Sequence, residues 1–461
     1  MKGTALFRKS RKLHFIGIGG IGMSGIAEIL INLGYQVSGS DLRESEQTRR
    51  LKDLGAEIFI GHYPSNIRDY SVVVTSSAIN RANPELIEAQ KRSIPVIHRS
   101  EMLAELVRLK HGIGIAGTHG KTTTSSMLAY LLCHGGINPT AVIGGKVLNF
   151  GSNARMGEGD YIVFEADESD GSFLKLFPSI AIVTNVDADH LDHYKYFNNV
   201  KEAFLEYMNN IPFYGYSVLC VDDPVIRELL PRVERPYVSY GFSEGADFRA
   251  INVRLDNGRM KYRALYKNNE LGDFDIVSLG NHNVLNSLSV IAVALELGLP
   301  VEVIQEGLAA FRGVGRRFER IGVEKDILVI DDYGHHPTEI RATLAALKKF
   351  DRRLMVVFQP HRYSRTELLW DDFGKSFGHA DQVFLTEIYP AGEQPIEGVS
   401  SALIQEAILK HDGKKVDVIH RFEDVPAAVA AAAQPGDVIV TLGAGDIYKA
   451  GALILNELKK R

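Results

Sequence analysis

The stretch from Gly112 to Leu132 limits what this chain can fold into more than any other part of it. Gly112-Ile-Gly-Ile-Ala is an apolar strand, Gly117-Thr-His-Gly-Lys-Thr-Thr-Thr124 a glycine turn, and Ser125 to Leu132 the body of a helix. In such a unit, successive backbone N–H groups converge on phosphate oxygens, and the helix N-terminus adds positive potential. The expected phosphate contacts come from Gly117, Thr118, His119, Gly120 and Thr123, with the Lys121 ammonium on the β and γ phosphates. The Thr122 hydroxyl is expected on a divalent cation. The usual phosphate-loop spacing would place its first glycine at Ile115, but here the nearer glycine is Gly117.

At 461 residues the chain exceeds one ordinary core, and three blocks alternate apolar strands with amphipathic stretches. The expected class is α/β in three domains. Residues 1–110 form a Rossmann-like domain, 111–317 a central P-loop ATPase-like domain with a mixed sheet, and 318–461 a second Rossmann-like domain. The first block's strands are read at 13–18, 36–40, 57–60, 71–75 and 95–97, with a helix from Met23 to Gly34. The central block adds strands at 161–165 and 180–184, antiparallel hairpins over 247–278, and a helix from Asn283 to Leu297. The third block's strands fall at 327–331, 354–358, 382–386, 417–419 and 437–441. The Ala-rich run Ala427 to Ala433 reads as a packed helix.

Bulk properties exclude several classes. The net charge is only −5, from 57 acidic and 52 basic residues, which gives no field for nucleic acid. No run reaches the roughly 18 apolar residues of a membrane span. The basic start, Lys2 to Lys12, leads into glycines rather than a signal-peptide core. Cys133 and Cys220 stand alone, as reduced thiols in a cytoplasmic protein would.

Within the central block, two polar clusters follow strands: Glu165-Ala-Asp-Glu-Ser-Asp170 and Thr184-Asn-Val-Asp-Ala-Asp-His-Leu-Asp-His193. Groups at the C-terminal ends of parallel strands beside a phosphate loop face its ligand. Glu165 with Thr122 suits Mg²⁺, with Mn²⁺ possible, and His190 suits a second divalent site. Asp170, Asp187 and Asp192 are expected as caps and turn formers. At the N-terminus, Gly17-Ile-Gly-Gly-Ile-Gly22 follows a strand, and Asp41 ends the next one. That pattern places a diphosphate at a helix N-terminus and a ribose near an acid. Gly19, Gly20, Ile21, Gly22 and Asp41 are its candidates, joined by Ser76, Ser77 and Arg99 from later turns. Taken alone, the motif also fits an NAD dehydrogenase.

The chain resembles the Mur ligase family, the ATP-dependent enzymes that build the peptide stem of bacterial cell-wall precursors. The resemblance runs along the whole chain, through Gly117-Thr-His-Gly-Lys-Thr-Thr, Glu165-Ala-Asp-Glu-Ser-Asp, Asn185-Val-Asp-Ala-Asp-His, Asn281-His-Asn-Val-Leu-Asn, Gly315-Arg-Arg-Phe and Asp331-Asp-Tyr-Gly-His-His-Pro-Thr-Glu. Gly17-Ile-Gly-Gly-Ile-Gly-Met-Ser and Gln359-Pro-His-Arg-Tyr-Ser-Arg-Thr366 are similar to the member that adds the first amino acid.

The resemblance implies ATP, Mg²⁺, UDP-N-acetylmuramate and L-alanine as cofactors and substrates, with an acyl-phosphate intermediate. It makes UDP, rather than NAD, the occupant of the N-terminal glycines. It also implies Lys121, Glu165, His190, His361 and Arg365 as catalytic residues, and His282, Asn283, Asn286, Arg316 and Arg317 at the ATP. Tyr333, His335, His336, Arg362 and Arg365 are implied at the amino acid. A monomer or weak homodimer is expected, with neither nucleic-acid nor membrane partners, and a domain-closing motion about the junction near Gly313. Several relatives carry a carbamylated lysine ligand. Lys201 is one residue out of step for that role and is left out of the site. The rival readings are a recycling ligase that joins a whole peptide to the same sugar nucleotide, a dehydrogenase fused to an ATPase, and a nucleotide-driven switch.

Overall fold

A computed structural model describes residues 12–414 and 416–461, except the side chain of Asp192. The basic start from Lys2 to Arg11 and the expected role of Asp192 therefore lie outside the described residues. Two compact units divide the chain. The first comprises the residues up to Val253 together with Lys261–Ile276 and Leu285–Arg312. The second comprises Arg254–Met260, Val277–Val284 and Gly313–Arg461.

Three sheets are present among the described residues. In the first, β1 (Lys12–Ile16), β2 (Gln36–Asp41), β3 (Glu57–Ile60), β4 (Val72–Thr75) and β5 (Val96–His98) lie in the order β3-β2-β1-β4-β5, all parallel. The strand read to Ile18 stops at Ile16, because Gly17 turns the chain at φ 78° and both Gly17 and Ile18 donate their N–H to the Ser40 carbonyl. The following helix, Ile21–Asn32, begins two residues before the expected Met23 and is capped by Gly20.

The central sheet holds β6 (His111–Ala116), β7 (Thr140–Val147), β8 (Ser152–Arg155), β9 (Tyr161–Glu165), β10 (Ile180–Val183), β11 (Tyr216–Cys220), β12 (Tyr237–Gly241), β13 (Phe248–Asp256), β14 (Arg259–Tyr266) and β15 (Asn269–Ile276). Its order is β15-β14-β13-β12-β11-β10-β6-β9-β7-β8, with β8 antiparallel to β7. The sheet is mixed, as expected, and the hairpin region supplies β13 to β15. The loop leaving β6 is flanked by the ends of β9 and β10, both parallel to that strand. The sequence reading did not mark β7, β8, β11 or β12. In β8, Ser152 and Asn153 hydrogen-bond to Glu28 and to the Ile21 carbonyl of the first helix, so polar pairing replaces the apolar signal.

The third sheet consists of β16 (Glu319–Glu324), β17 (Ile327–Asp332), β18 (Leu354–Phe358), β19 (Gln382–Thr386), β20 (Val416–Ile419) and β21 (Val438–Leu442), in the order β16-β17-β21-β18-β19-β20. Only β16, unmarked in the sequence, runs antiparallel. Successive side chains point to opposite faces of a strand. Leu328, Ile330, Val356 and Phe358 therefore pack into one core, and Ile327, Val329, Met355 and Val357 into another. Both faces are buried beneath helices, which is why these strands read as unbroken apolar runs. The Ala-rich run forms a helix, Val425–Ala432. Among the described residues, no helix is long and apolar enough to cross a membrane.

Candidate active site

Gly117 and Gly120 adopt φ of 131° and 86°, and Gly120 caps the helix Lys121–His134. A side chain on Gly117 would collide with the Thr184 hydroxyl, so the turn can be this tight only with glycine there. The segment after β10 clamps the loop. Asn185 accepts from the His119 N–H at 2.8 Å and returns a bond to the His119 carbonyl at 2.9 Å. Thr184 Oγ1 donates to the same carbonyl at 2.6 Å. The Asp187 N–H donates to Thr118 Oγ1, and the Asp187 carboxylate lies 3.1 Å from His119 Nε2. Asp187 also turns its own segment, accepting from the Ala188 N–H.

The acidic segment leaving β9 meets this loop. Thr122 Oγ1 donates to Glu165 Oε2 at 3.1 Å, and Glu165 Oε1 accepts from Ser125 Oγ at 3.1 Å and the Gly144 N–H at 2.6 Å. Lys121 Nζ lies 2.9 and 2.7 Å from the two oxygens of Glu168 and also reaches the Gly117 carbonyl at 2.5 Å. Burial opposes the ammonium charge, but Glu168, Asp167 and Glu165 outweigh it and raise the Lys121 pKa. His190 takes a left-handed backbone at φ 56°, a conformation costing about 1–3 kcal/mol. Its Nε2 lies 3.7 Å from Glu168 Oε1 and 3.7 Å from Asp189 Oδ2. Asn286 borders the loop, its Oδ1 3.0 Å from where a Cβ on Gly120 would stand. Thr123 belongs to the first turn of the helix.

Glu168 is the residue that sequence reasoning missed here. It is 1% exposed, and it joins Lys121 to His190. Within a run of four acids of equal chemistry, nothing in the sequence said which one would face the lysine. Lys201 points elsewhere, its Nζ 2.7 Å from Glu228 and over the Phe197 ring.

The N-terminal glycines assemble with several of their expected partners in the same unit. The Gly19 N–H donates to Asp41 Oδ2 at 2.9 Å, and Gly20 and Ile21 open the first helix. A Cβ on Gly22 would lie 3.0 Å from Arg99 Nη1, so the guanidinium rests on this helix's first turn. Ser77 Oγ donates to Asp170 Oδ2 at 2.6 Å and lies 3.1 Å from His98 Nε2, while Ser76 accepts the Ile79 N–H through its carbonyl. Asp170 also forms the turn expected of it, by accepting the Ser172 N–H.

The second unit gathers another group past the ends of β17, β18 and β21. Arg316 stacks between Tyr333 and Tyr448, its carbon 4.9 and 4.3 Å from the two ring centres, and donates to the Gly443 carbonyl. Arg317 lies over Tyr333 at 4.7 Å. His335 meets Tyr333 and His361 edge-on, and His361 stacks on Tyr389. Burial, with the charges of His335, Arg365, Arg362 and Arg316, pushes the His361 pKa down to about 3, so its ring is neutral at ordinary pH. Arg365 Nη1 lies 3.5 Å from His361 Nδ1. Arg362, at φ 71°, caps the helix Tyr363–Gly374. His336 caps the helix Pro337–Lys348, in a capping box with Glu339. His282 and Asn283 open the helix Asn281–Glu296, and Asn283 donates to the Leu279 carbonyl. They are counted with the second unit, whereas Asn286 belongs to the first. Tyr389 and Tyr448 were not foreseen, since a lone tyrosine carries no signal in sequence.

Family profiles described as Mur ligase family, catalytic domain; Mur ligase middle domain; and Mur ligase, glutamate ligase domain match residues 12–111, 115–294 and 316–445. A UDP-N-acetylmuramate–L-alanine ligase of Geotalea uraniireducens is 55% identical over 455 residues, covering 98% of this chain and 99% of that protein. The crystal structure of a UDP-N-acetylmuramate-alanine ligase from Thermotoga maritima superposes with a TM-score of 0.83 at 30% identity, covering 97% and 99% of the two chains. A murein peptide ligase of Psychrobacter arcticus gives 0.74 at 27% identity, covering 98% and 99%.

Proposed function

The chain belongs to the Mur ligase family, and we propose that it joins L-alanine to the lactyl carboxylate of UDP-N-acetylmuramate at the expense of ATP, in the cytoplasm. The reading rests most on one feature. The segment leaving β9 gives Glu165 and Glu168 to the phosphate loop, and Asp167 and Asp170 to Arg99 and Ser77. A triphosphate site and a sugar-nucleotide site therefore share one short piece of chain, as a phosphoryl transfer between their occupants requires. The same-length relatives named for alanine addition are more similar to this chain than the peptide ligase is.

Residues 1–110 take the UDP-sugar, 111–317 the ATP and 318–461 the amino acid. The Thr122 hydroxyl and Glu165 carboxylate, 3.1 Å apart at a helix N-terminus, are hard oxygen donors that fit Mg²⁺, with Mn²⁺ as a substitute. Such an ion supplies neutralisation of phosphate charge. Lys121 leaves Glu168 for the β and γ phosphates, and the backbone N–H groups of the loop bind the oxygens between. A lactyl carboxylate oxygen attacks the γ phosphorus and ADP leaves. Alanine's neutral amine then attacks the acyl carbon, sheds a proton and expels phosphate. His361 is uncharged and can accept a hydrogen bond from that amine, and the Arg362 or Arg365 fork suits alanine's carboxylate.

Phosphate release from ATP, with UDP-N-acetylmuramate fixed, tests the assignment. L-alanine should stimulate release well above glycine, L-serine or a tripeptide. Equal or greater stimulation by the tripeptide would favour a recycling ligase, and no stimulation by any of them would refute the ligase reading.

A further inference from the structure

Arg99 is the first residue of the helix Arg99–Val107, and its guanidinium has two different neighbours. Nη2 lies 2.6 Å from Asp167 Oδ2, whereas Nη1 lies against Gly22, at the first turn of the glycine-loop helix. A cation there is opposed by the helix dipole, so something must hold it. Asp167 is well placed for this. Its other oxygen accepts the Ser169 N–H at 3.1 Å, which fixes the carboxylate from its own turn.

The bland alternative is a strap between the first two sheets. Lys175–Glu101 is one such strap, fixed to the same helix and half exposed. Asp167 differs because Nη1 of its partner, Arg99, lies against the glycine turn.

We propose that Asp167 is a positioning residue for the diphosphate of the sugar nucleotide: it holds one arm of the Arg99 fork so that the other lies over the Gly19–Gly22 turn. The inference rests on the UDP-sugar reading of that turn. A guanidinium held in place by a carboxylate loses less freedom when it binds an anion, so Asp167 contributes affinity without touching the ligand. Because Asp167 is also an anion near Lys121, removing its charge leaves ATP binding equal or tighter, whereas a general loosening of the site would weaken both nucleotides.

The test is a double-mutant cycle on the full-length protein, with affinities for UDP-N-acetylmuramate and for Mg-ATP measured by calorimetry. Asp167→Asn should weaken UDP-N-acetylmuramate binding about tenfold without weakening ATP. In an Arg99→Ala background the same change should add nothing. Glu101→Gln, which cuts only the strap, should leave both affinities within about twofold. The proposal is overturned if Asp167→Asn leaves the sugar-nucleotide affinity unchanged, weakens both nucleotides alike, or keeps its full effect without Arg99. If the Asn variant does not fold, Asp167→Glu, which keeps the charge but displaces the fork, is judged by the same cycle. Failure of the unaltered protein to bind UDP-N-acetylmuramate would instead refute the functional reading beneath the proposal.

Discussion

Glu165 shows how far a single side chain can be read before the fold is seen. Its place at the end of an apolar strand, beside a phosphate loop, marked it in the sequence. The structure adds that its two oxygens are shared among Thr122, Ser125 and the Gly144 N–H. Replacing one oxygen by an amide nitrogen removes a hard donor and keeps the shape. Glu165→Gln should therefore raise the Mg²⁺ concentration for half-maximal phosphate release by about tenfold or more. A magnesium titration that superimposes on the unaltered enzyme would remove Glu165 from the metal site. Asp167 and Glu168 were legible only as members of an acidic run. Their separate duties depend on how the chain turns after β9, and that turn has no signature of its own.

At the scale of elements, strands buried on both faces were the easiest to read. The runs at 161–165, 354–358 and 382–386 match β9, β18 and β19 residue for residue. Strands stabilised by polar pairing, such as β8, were lost. The N-terminal sheet contains another group that no pattern announced. Glu85 is fully buried and accepts from Ser40 Oγ and Asn66 Nδ2 at 2.5 Å each, with His62 Nδ1 at 3.3 Å and His14 Nε2 at 3.7 Å. It lies close to the glycine turn, because the Ser40 carbonyl receives the Gly17 and Ile18 N–H groups.

Burial would raise the Glu85 pKa, but the neighbouring His14 and the bonds from Ser40 and Asn66 lower it overall. A depressed carboxylate contributes stability above its unfolded pKa and loses it as pH falls through the folded value. Glu85→Gln should therefore cost about 2–4 kcal/mol in urea unfolding at pH 7. The difference should shrink below roughly pH 4.5, the ordinary glutamate range. A penalty independent of pH down to 3.5 would show that the charge of Glu85 is not what stabilises this sheet.

At the scale of the whole molecule, the candidate groups collect where parallel strands end: after β1, β2, β4 and β5, after β6, β9 and β10, and after β17, β18 and β21. In open α/β sheets ligands bind outside the carboxyl ends of the strands. Three blocks of alternating strand and helix were legible because each repeats that signature. Which ligand belongs to which sheet came only with the family resemblance, since glycine turns at helix N-termini receive NAD, UDP and ATP by the same physics. The central claim is that a carboxylate on one nucleotide is phosphorylated by another and then captured by an amine. UDP-N-acetylmuramate carrying ¹⁸O in both oxygens of its lactyl carboxylate tests this most directly. With ATP and L-alanine, each phosphate released should contain one ¹⁸O, and the new amide should keep the other. Phosphate free of ¹⁸O, with both labels left on the sugar nucleotide, would contradict the account.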